Sequence, residues 1–321
     1  MYHASRSPGL ILSLAKLRAR FPGVPPSLWA GADALFPVRV TESFAARIRA
    51  ADDPLGRQVL PLASELLPDA GDTPDPVGER GRSPMPWVVH KHKDRVLVQV
   101  TRRCHLYCRY CFRRDQHDAR EPSAAELDAA VDYARAQGVR ELILSGGDPL
   151  TLSDRRLFSI MDRARPAVPV VRVHTRAPIT APSRVTAALV DGLRARAPVW
   201  VLVHCNHAQE LAPDVVEALG RLVDAGVPVL NQTVLLRGVN DSVDALEALS
   251  DALLRLRVFP YYLHHTDPVP GNAALRVSIA EGLALHRALA RRVSGIGLPT
   301  YVIDPPDGSG KVPVSEWAAP R

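Results

Sequence analysis

Three cysteines, Cys104, Cys108 and Cys111, fall within eight residues in a Cys-x3-Cys-x2-Cys spacing, and Cys205 stands alone. Three thiols this close cannot all pair with one another. A disulfide framework also needs an oxidising compartment, and the apolar stretch Leu10 to Ala15 is too short for a secretion signal and runs into Lys16. Clustered thiols in a reducing compartment read as a metal site. Structural zinc takes four ligands, usually from two Cys-x2-Cys pairs, and no second pair is present. Three thiolates can hold three irons of a 4Fe–4S cluster and leave the fourth iron open. The alternatives are a zinc site completed by Cys205 or a nearby histidine, and three unrelated buried thiols.

Two further segments carry chemistry. Gly146-Gly147-Asp148-Pro149 lets backbone approach a ligand closely, although alone it is an ordinary turn. Lys311 lies in Asp304-Pro305-Pro306-Asp307-Gly308-Ser309-Gly310-Lys311-Val312-Pro313. A phosphate-binding P-loop fails there: Pro305 stands where the first glycine belongs, Val312 replaces the Ser or Thr, and Pro313 disfavours a following helix. Lysine occurs only at 16, 91, 93 and 311, leaving 36 of the 40 basic residues as arginine. A primary amine forms a Schiff base and a guanidinium does not, so retained lysine at 311 points to imine chemistry. The alternative is a solvated lysine on a flexible tail.

The elements that must position these residues follow an α/β rhythm. Short apolar runs at Val96–Val100, Glu141–Ser145, Pro169–Thr175, Val199–Val203, Val227–Val234 and Val258–Leu263 read as strands. Helical patterns fall between them at Ala124–Ala136, Asp154–Arg165, Ser183–Arg196, Asp214–Ala225 and Ser242–Leu256, with another at Ser278–Val293. Ser123 and Asp154 serve as N-caps and Gly226 as a helix stop. Such alternation implies parallel strands with right-handed crossovers, in a doubly wound sheet or an incomplete barrel. Both place chemistry at the strands' C-terminal ends. Polar clusters sit there: the three cysteines, the Gly-Gly-Asp-Pro turn, His174-Thr175-Arg176, His204-Cys205-Asn206-His207, Asn231-Gln232, and His264-His265-Thr266-Asp267. A last apolar run, Thr300–Ile303, leads into Asp304. Before residue 93 the pattern is helical, at Leu10–Arg20, Glu42–Ala51 and Gly56–Leu67. Asp69 to Pro86 then reads as a linker or covering arm.

The 321 residues are 46% hydrophobic and 23% charged, which fits a folded globular chain and excludes collagen-like and disordered classes. No run approaches the roughly 18 apolar residues of a membrane helix. The net charge of +6 rests on evenly scattered arginines, so it is no nucleic-acid footprint. A cytoplasmic enzyme or binding protein is the expectation.

Taken together, the Cys-x3-Cys-x2-Cys motif, Tyr110 and the strand before Cys104 resemble the radical S-adenosylmethionine superfamily. Adding the Gly146-Gly147-Asp148-Pro149 turn, Asn231 to Asn240 and the Tyr301-Val302-Ile303-Asp304…Lys311 segment, the chain resembles the lysine 2,3-aminomutase family over roughly residues 35 to 315. The resemblance implies an incomplete parallel (β/α)6 barrel with an N-terminal helical extension: residues 1–92 extension and linker, 93–305 barrel, 306–321 lysine loop and tail. It implies a 4Fe–4S cluster on Cys104, Cys108 and Cys111, with S-adenosylmethionine on the open iron and near Gly146, Gly147 and Asp148. It further implies pyridoxal phosphate on Lys311, a substrate carboxylate on Arg113, and a substrate ammonium on Asp267 and Asp304. Lys91 and Arg95 would meet the cofactor phosphate. The reaction implied is conversion of L-α-lysine to β-lysine, with an electron donor such as flavodoxin or ferredoxin. No membrane or nucleic-acid partner is implied, and homo-oligomerisation is left open.

Two departures from the founding enzymes stand out. Those carry cysteines beyond the pyridoxal lysine that help bind an intersubunit zinc, and the ten residues after Lys311 hold none. His264 also occupies a position where the catabolic enzymes tend to have Tyr. With the Asp52-Asp53-Pro54-Leu55 segment, it resembles the subfamily that makes β-lysine for elongation factor P. The rivals are an arginine or glutamate aminomutase and, from another class, a zinc-binding interaction module.

Overall fold

The computed structural model of the chain describes residues 11–116 and 120–319. Their centre is one sheet of nine strands: β1 (Val88–His92), β2 (Arg95–Thr101), β3 (Glu141–Gly146), β4 (Val170–Thr175), β5 (Val199–Val203), β6 (Val229–Val234), β7 (Phe259–His264), β8 (Thr300–Ile303) and β9 (Val312–Pro313). They pair in sequence order. β2 through β8 run parallel, while β1 and β9 add antiparallel at the two edges. The order starts at β1 and stops at β9 without returning, so the barrel is incomplete. The Thr300–Ile303 run is thus a seventh parallel strand beyond the six-unit core.

The helices between strands bury one stripe each. In Ala124–Ala136 the buried residues are Leu127, Ala130, Val131 and Ala134, and in Asp154–Ala164 they are Leu157, Ile160, Met161 and Ala164. Both follow the three- and four-residue steps of an amphipathic helix. Each buried Leu, Ile or Met stabilises the fold by about 1.5–3 kcal/mol. Ser123 caps its helix through a reciprocal box with Glu126. At the next helix the cap is Ser153 rather than Asp154. The Ser153 hydroxyl accepts from Arg156 N, and Asp154 stands in the first turn, where its charge faces the positive helix end. Gly226 ends its helix with φ at +78°.

Before the barrel, Pro26–Leu35 adds a helix to those read from the sequence. Pro26 occupies the first helical position, where its missing N–H is harmless. The helical pattern at Leu10–Arg20 begins outside the described residues and is observed as Leu14–Arg20. The other two patterns shorten to Glu42–Ala46 and to Gly56–Val59 followed by a 3-10 turn at Ala63–Leu66. Residues 69–86 form a covering arm. Thr73 N donates to Pro268 O at 3.0 Å and Arg276 bonds Asp69 and Asp72, which fastens the arm across the C-terminal half. Among the described residues, no helix is long and apolar enough to cross a membrane.

Candidate active site

The loop leaving β2 carries the three cysteines over the C-terminal ends of the parallel strands. Cys104 and Cys111 line a cleft with Arg113, Gly146, Gly147 and Tyr107. Cys108 lies close enough to both for mutual electrostatic influence. Burial pushes the Cys104 thiol up, with Asp148 and the neighbouring cysteines adding to it, and pushes Cys111 to about 11. Cys205 is fully buried, and its thiol donates instead to His207 O at 3.5 Å. Among the described residues no three His, Cys, Asp or Glu side chains converge as a single ion would require.

The Gly-Gly-Asp-Pro turn after β3 is stapled to the segment before Cys104. Gly147 N donates to Thr101 O and Asp148 N to Arg103 O, both at 2.7 Å. A Cβ on Gly146, which has φ at +113°, would stand 2.3 Å from Thr101 O, and one on Gly147 2.2 Å from Arg103 O. Packing of the two loops therefore demands both glycines. Asp148 is wholly engaged by the protein. Its Oδ1 accepts from Leu150 N and Thr175 Oγ1, and its Oδ2 from Arg176 N at 2.8 Å. It thus ties the ends of β3 and β4 together.

Arg113 reaches into the same interior. Its Nε donates to Glu79 Oε2 at 2.8 Å, its Nη2 also donates to Glu79, and its Nη1 donates to Gly146 O at 3.2 Å. Burial opposes its charge, but the Glu79 carboxylate outweighs that and raises its pKa. Glu79 comes from the covering arm, and the sequence marked no role for it.

Lys311 sits immediately before β9. The β8–β9 register pairs Ile303 with Val312, so the next residues along, Asp304 and Lys311, face each other. Lys311 Nζ donates to Asp304 Oδ2 at 3.4 Å, and Lys91 Nζ from β1 donates to Asp304 Oδ1 at 2.7 Å and Val77 O at 2.6 Å. Lys91 therefore bridges the two open edges of the barrel through Asp304. Despite its burial, the lysines hold the Asp304 carboxyl below its ordinary range. Asp267 is pushed up to about 7 by burial and then by Asp304, against the pull of Lys311 and Lys91.

Three imidazoles complete the interior. Burial lowers His174, His204 and His264, taking His204 to about 4, and Lys311 lowers all three further. Arg113 acts on His174 and His204 as well. The charges of Lys311 and Arg113 thus both act on His174 and His204, and Arg113 shares a cleft with Cys104 and Cys111. The Nε2 atoms of His174 and His264 are buried without a hydrogen-bond partner. Such atoms beside a lysine amine fit a polar ligand that supplies the missing bonds. Gly310 adds a close approach, since a Cβ there would stand 2.1 Å from His92 Cε1.

The fold and site thus define a partial parallel barrel with three cysteines in the loop after its first parallel strand. The Radical SAM superfamily model matches residues 98–249. The crystal structure of Streptococcus suis SuiB bound to S-adenosylmethionine shares the fold, with a TM-score of 0.51 over 64% of this chain and 49% of that one, at 13% identity. An L-lysine 2,3-aminomutase of Clostridium subterminale is 41% identical over 82% of this chain, which spans 64% of that relative's length. A provisionally named L-lysine 2,3-aminomutase of Aquifex aeolicus is 39% identical over 87% of this chain and 78% of its own. A glutamate 2,3-aminomutase of Clostridioides difficile is 35% identical over 82% of this chain and 63% of its own. The chain belongs to the lysine 2,3-aminomutase family. The family's groups are a 4Fe–4S cluster, S-adenosylmethionine and pyridoxal phosphate. The gathered thiols and the unpartnered imidazoles beside Lys311 fit them.

Proposed function

We propose that this chain converts L-α-lysine to β-lysine by a 2,3-amino shift. What supports the reading is that the charge of Lys311 acts on the same imidazoles, His174 and His204, as that of Arg113, which lines the cysteine cleft. When bound, the cluster and S-adenosylmethionine supply a carbon radical able to take hydrogen, and pyridoxal phosphate supplies a carbonyl for the substrate amine and a ring that spreads unpaired density.

The chain's own residues hold and orient. Cys104, Cys108 and Cys111 supply three thiolates, and the packing glycines Gly146 and Gly147 keep the turn beside them. Asp148 holds that turn against β4. Lys311 supplies the primary amine, which Asp304 keeps aimed inward until its proton is shed. Arg113 takes the substrate carboxylate as a planar fork once Glu79 has left it. Asp267 and Asp304 face the side-chain ammonium, so Arg113 and the two acids select chain length and terminal charge. Lys91 shuts the gap between the barrel edges, and His174, His204 and His264 line the cavity in their neutral forms. Two acids facing the side chain argue against glutamate as substrate. Residues 306–321 form the lysine loop and tail, 93–305 the barrel and 1–92 the extension, whose last strand β1 pairs with the barrel's β2.

The same reading places the chain in the cytoplasm with a flavodoxin- or ferredoxin-type electron donor. With His264 where the catabolic enzymes tend to have Tyr, it makes elongation factor P modification the consumer of the product. The test is anaerobic reconstitution with iron, sulfide and pyridoxal phosphate, followed by incubation with reductant, S-adenosylmethionine and lysine. Chromatography should show β-lysine, abolished in Lys311→Ala. Rearrangement of arginine or glutamate but not lysine would overturn the substrate. Full activity of Lys311→Ala would overturn the role of the amine.

A further inference from the structure

Arg176, the first residue beyond β4, is a buried cation that none of the roles above employs. Its Nη1 donates to Cys108 Sγ at 2.8 Å. Its Nη2 donates to Gln58 Oε1 at 2.6 Å and to Glu210 Oε2 at 2.9 Å, and its guanidinium lies over the Tyr110 and Phe44 rings. Its backbone N–H is gripped by Asp148. Glu210 is equally fixed: Oε1 accepts from Asn206 N at 2.9 Å, His207 N at 3.1 Å and Gln58 Nε2 at 3.1 Å. Gln58 Oε1 and the Tyr110 hydroxyl both accept from Asn206 Nδ2, which closes the web.

An arginine serving only to neutralise a buried carboxylate would present its fork to both oxygens. Here a single nitrogen goes to Glu210, Nη1 is turned to sulfur, and Nε has no partner at all. The guanidinium stays protonated at any working pH, so the charge beside Cys108 is permanent. Hydrogen bonds to cluster sulfurs and nearby charge are among the determinants of an iron–sulfur potential. A fixed cation that donates to a ligand sulfur favours the more negative, reduced cluster.

We propose that Arg176 sets the reduction potential of the cluster held by Cys104, Cys108 and Cys111, raising it through the Nη1–Cys108 contact, with Glu210 as the opposing charge that limits the rise. This rests on the cluster reading above. The couple concerned is one-electron: the cluster gains an electron from an external low-potential donor, and no bond or proton changes hands.

The test is EPR-monitored potentiometry on reconstituted full-length protein without S-adenosylmethionine, with iron and sulfide measured on each sample. At a fixed solution potential, Arg176→Gln should lower the reduced-to-oxidised ratio about tenfold, which is a 59 mV fall for one electron. Arg176→Lys should fall less, because it keeps the charge and loses the fork. Glu210→Gln should move the ratio the opposite way, a reversal that a merely structural pair would not produce. Loaded Arg176→Gln with the wild-type ratio overturns the proposal. In wild-type protein grown on 15N-arginine, the reduced cluster should show a nitrogen hyperfine coupling, and its absence also overturns the proposal whether or not any variant loads. A wild-type protein that assembles no cluster overturns the cluster reading instead.

Discussion

Arg113 and Glu79 form a two-point ion pair at the heart of the site, with Nε donating to Oε2 at 2.8 Å and Nη2 to the other oxygen. Their side chains are only 12% and 9% exposed. A carboxylate of the protein thus occupies the fork proposed above for the substrate carboxylate, and on that proposal substrate binding separates the pair.

Glu79→Gln removes the competing charge while keeping an amide of similar size. The KM for the amino acid should fall about tenfold, equal to roughly 1.4 kcal/mol, with kcat little changed. The substrate-free variant should lose about 3 kcal/mol of stability, because Arg113 is left buried and unpaired. Steady-state kinetics and urea unfolding measure both. An unchanged or raised KM would show that Glu79 and the substrate do not share Arg113.

Asp267 gives the site a pH dependence of definite sign. Its pKa of about 7 means that acid leaves it neutral and unable to attract an ammonium. KM for lysine should therefore rise toward tenfold per pH unit below about 7 and level off above it, and Asp267→Asn should flatten the profile at weak binding. Stability runs the other way. The folded pKa lies above the ordinary aspartate value of 3.8. The protein therefore loses stability as pH rises from that value through the folded pKa, where the carboxylate must be held charged. Asp267→Asn should gain stability relative to wild type between pH 5 and pH 8. An equal difference at both would contradict the assignment.

Gly78 joins the covering arm to the lysine loop. Its φ is +66°, and a Cβ there would stand 2.3 Å from Pro306 O. Gly78→Ala should cost about 1–3 kcal/mol and speed proteolysis within 69–86. Wild-type protection of that segment would mean the arm docks without this approach.

The cysteines separate cluster from zinc. Cys104→Ser, reconstituted anaerobically, should lose most iron and sulfide, whereas Cys205→Ser should retain both, since the Cys205 thiol is committed to His207 O. Tightly held zinc that is lost with Cys205 would favour the interaction-module alternative.

Local signals carried much of this architecture. Apolar runs located β2 to β8 within one or two residues, because each is a short, largely apolar parallel strand bounded by polar residues. The cysteine spacing and lone Lys311 likewise announced themselves by residue type. What escaped notice depends on partners distant in sequence. Val88–His92 is half polar and becomes a strand only by pairing with β2. Glu79 is an ordinary acid in a Pro/Gly-rich stretch until Arg113, 34 residues on, closes upon it. Arg176 was visible as part of a polar cluster, but its contact with Cys108 spans 68 residues and no local pattern encodes it. Asp148 drew notice as a ligand contact, while its carboxylate is committed to Leu150, Thr175 and Arg176.

The short hairpin of β8 and β9 sets a parity rule for the pairing of its two strands. Neighbouring residues of a strand point to opposite sides, so a slip of β9 by one residue against β8 would turn the 311 amine outward, away from Asp304, whereas a slip of two would restore its direction. Changes to the loop 305–310 are therefore tolerated only while the pairing of Ile303 with Val312 is kept.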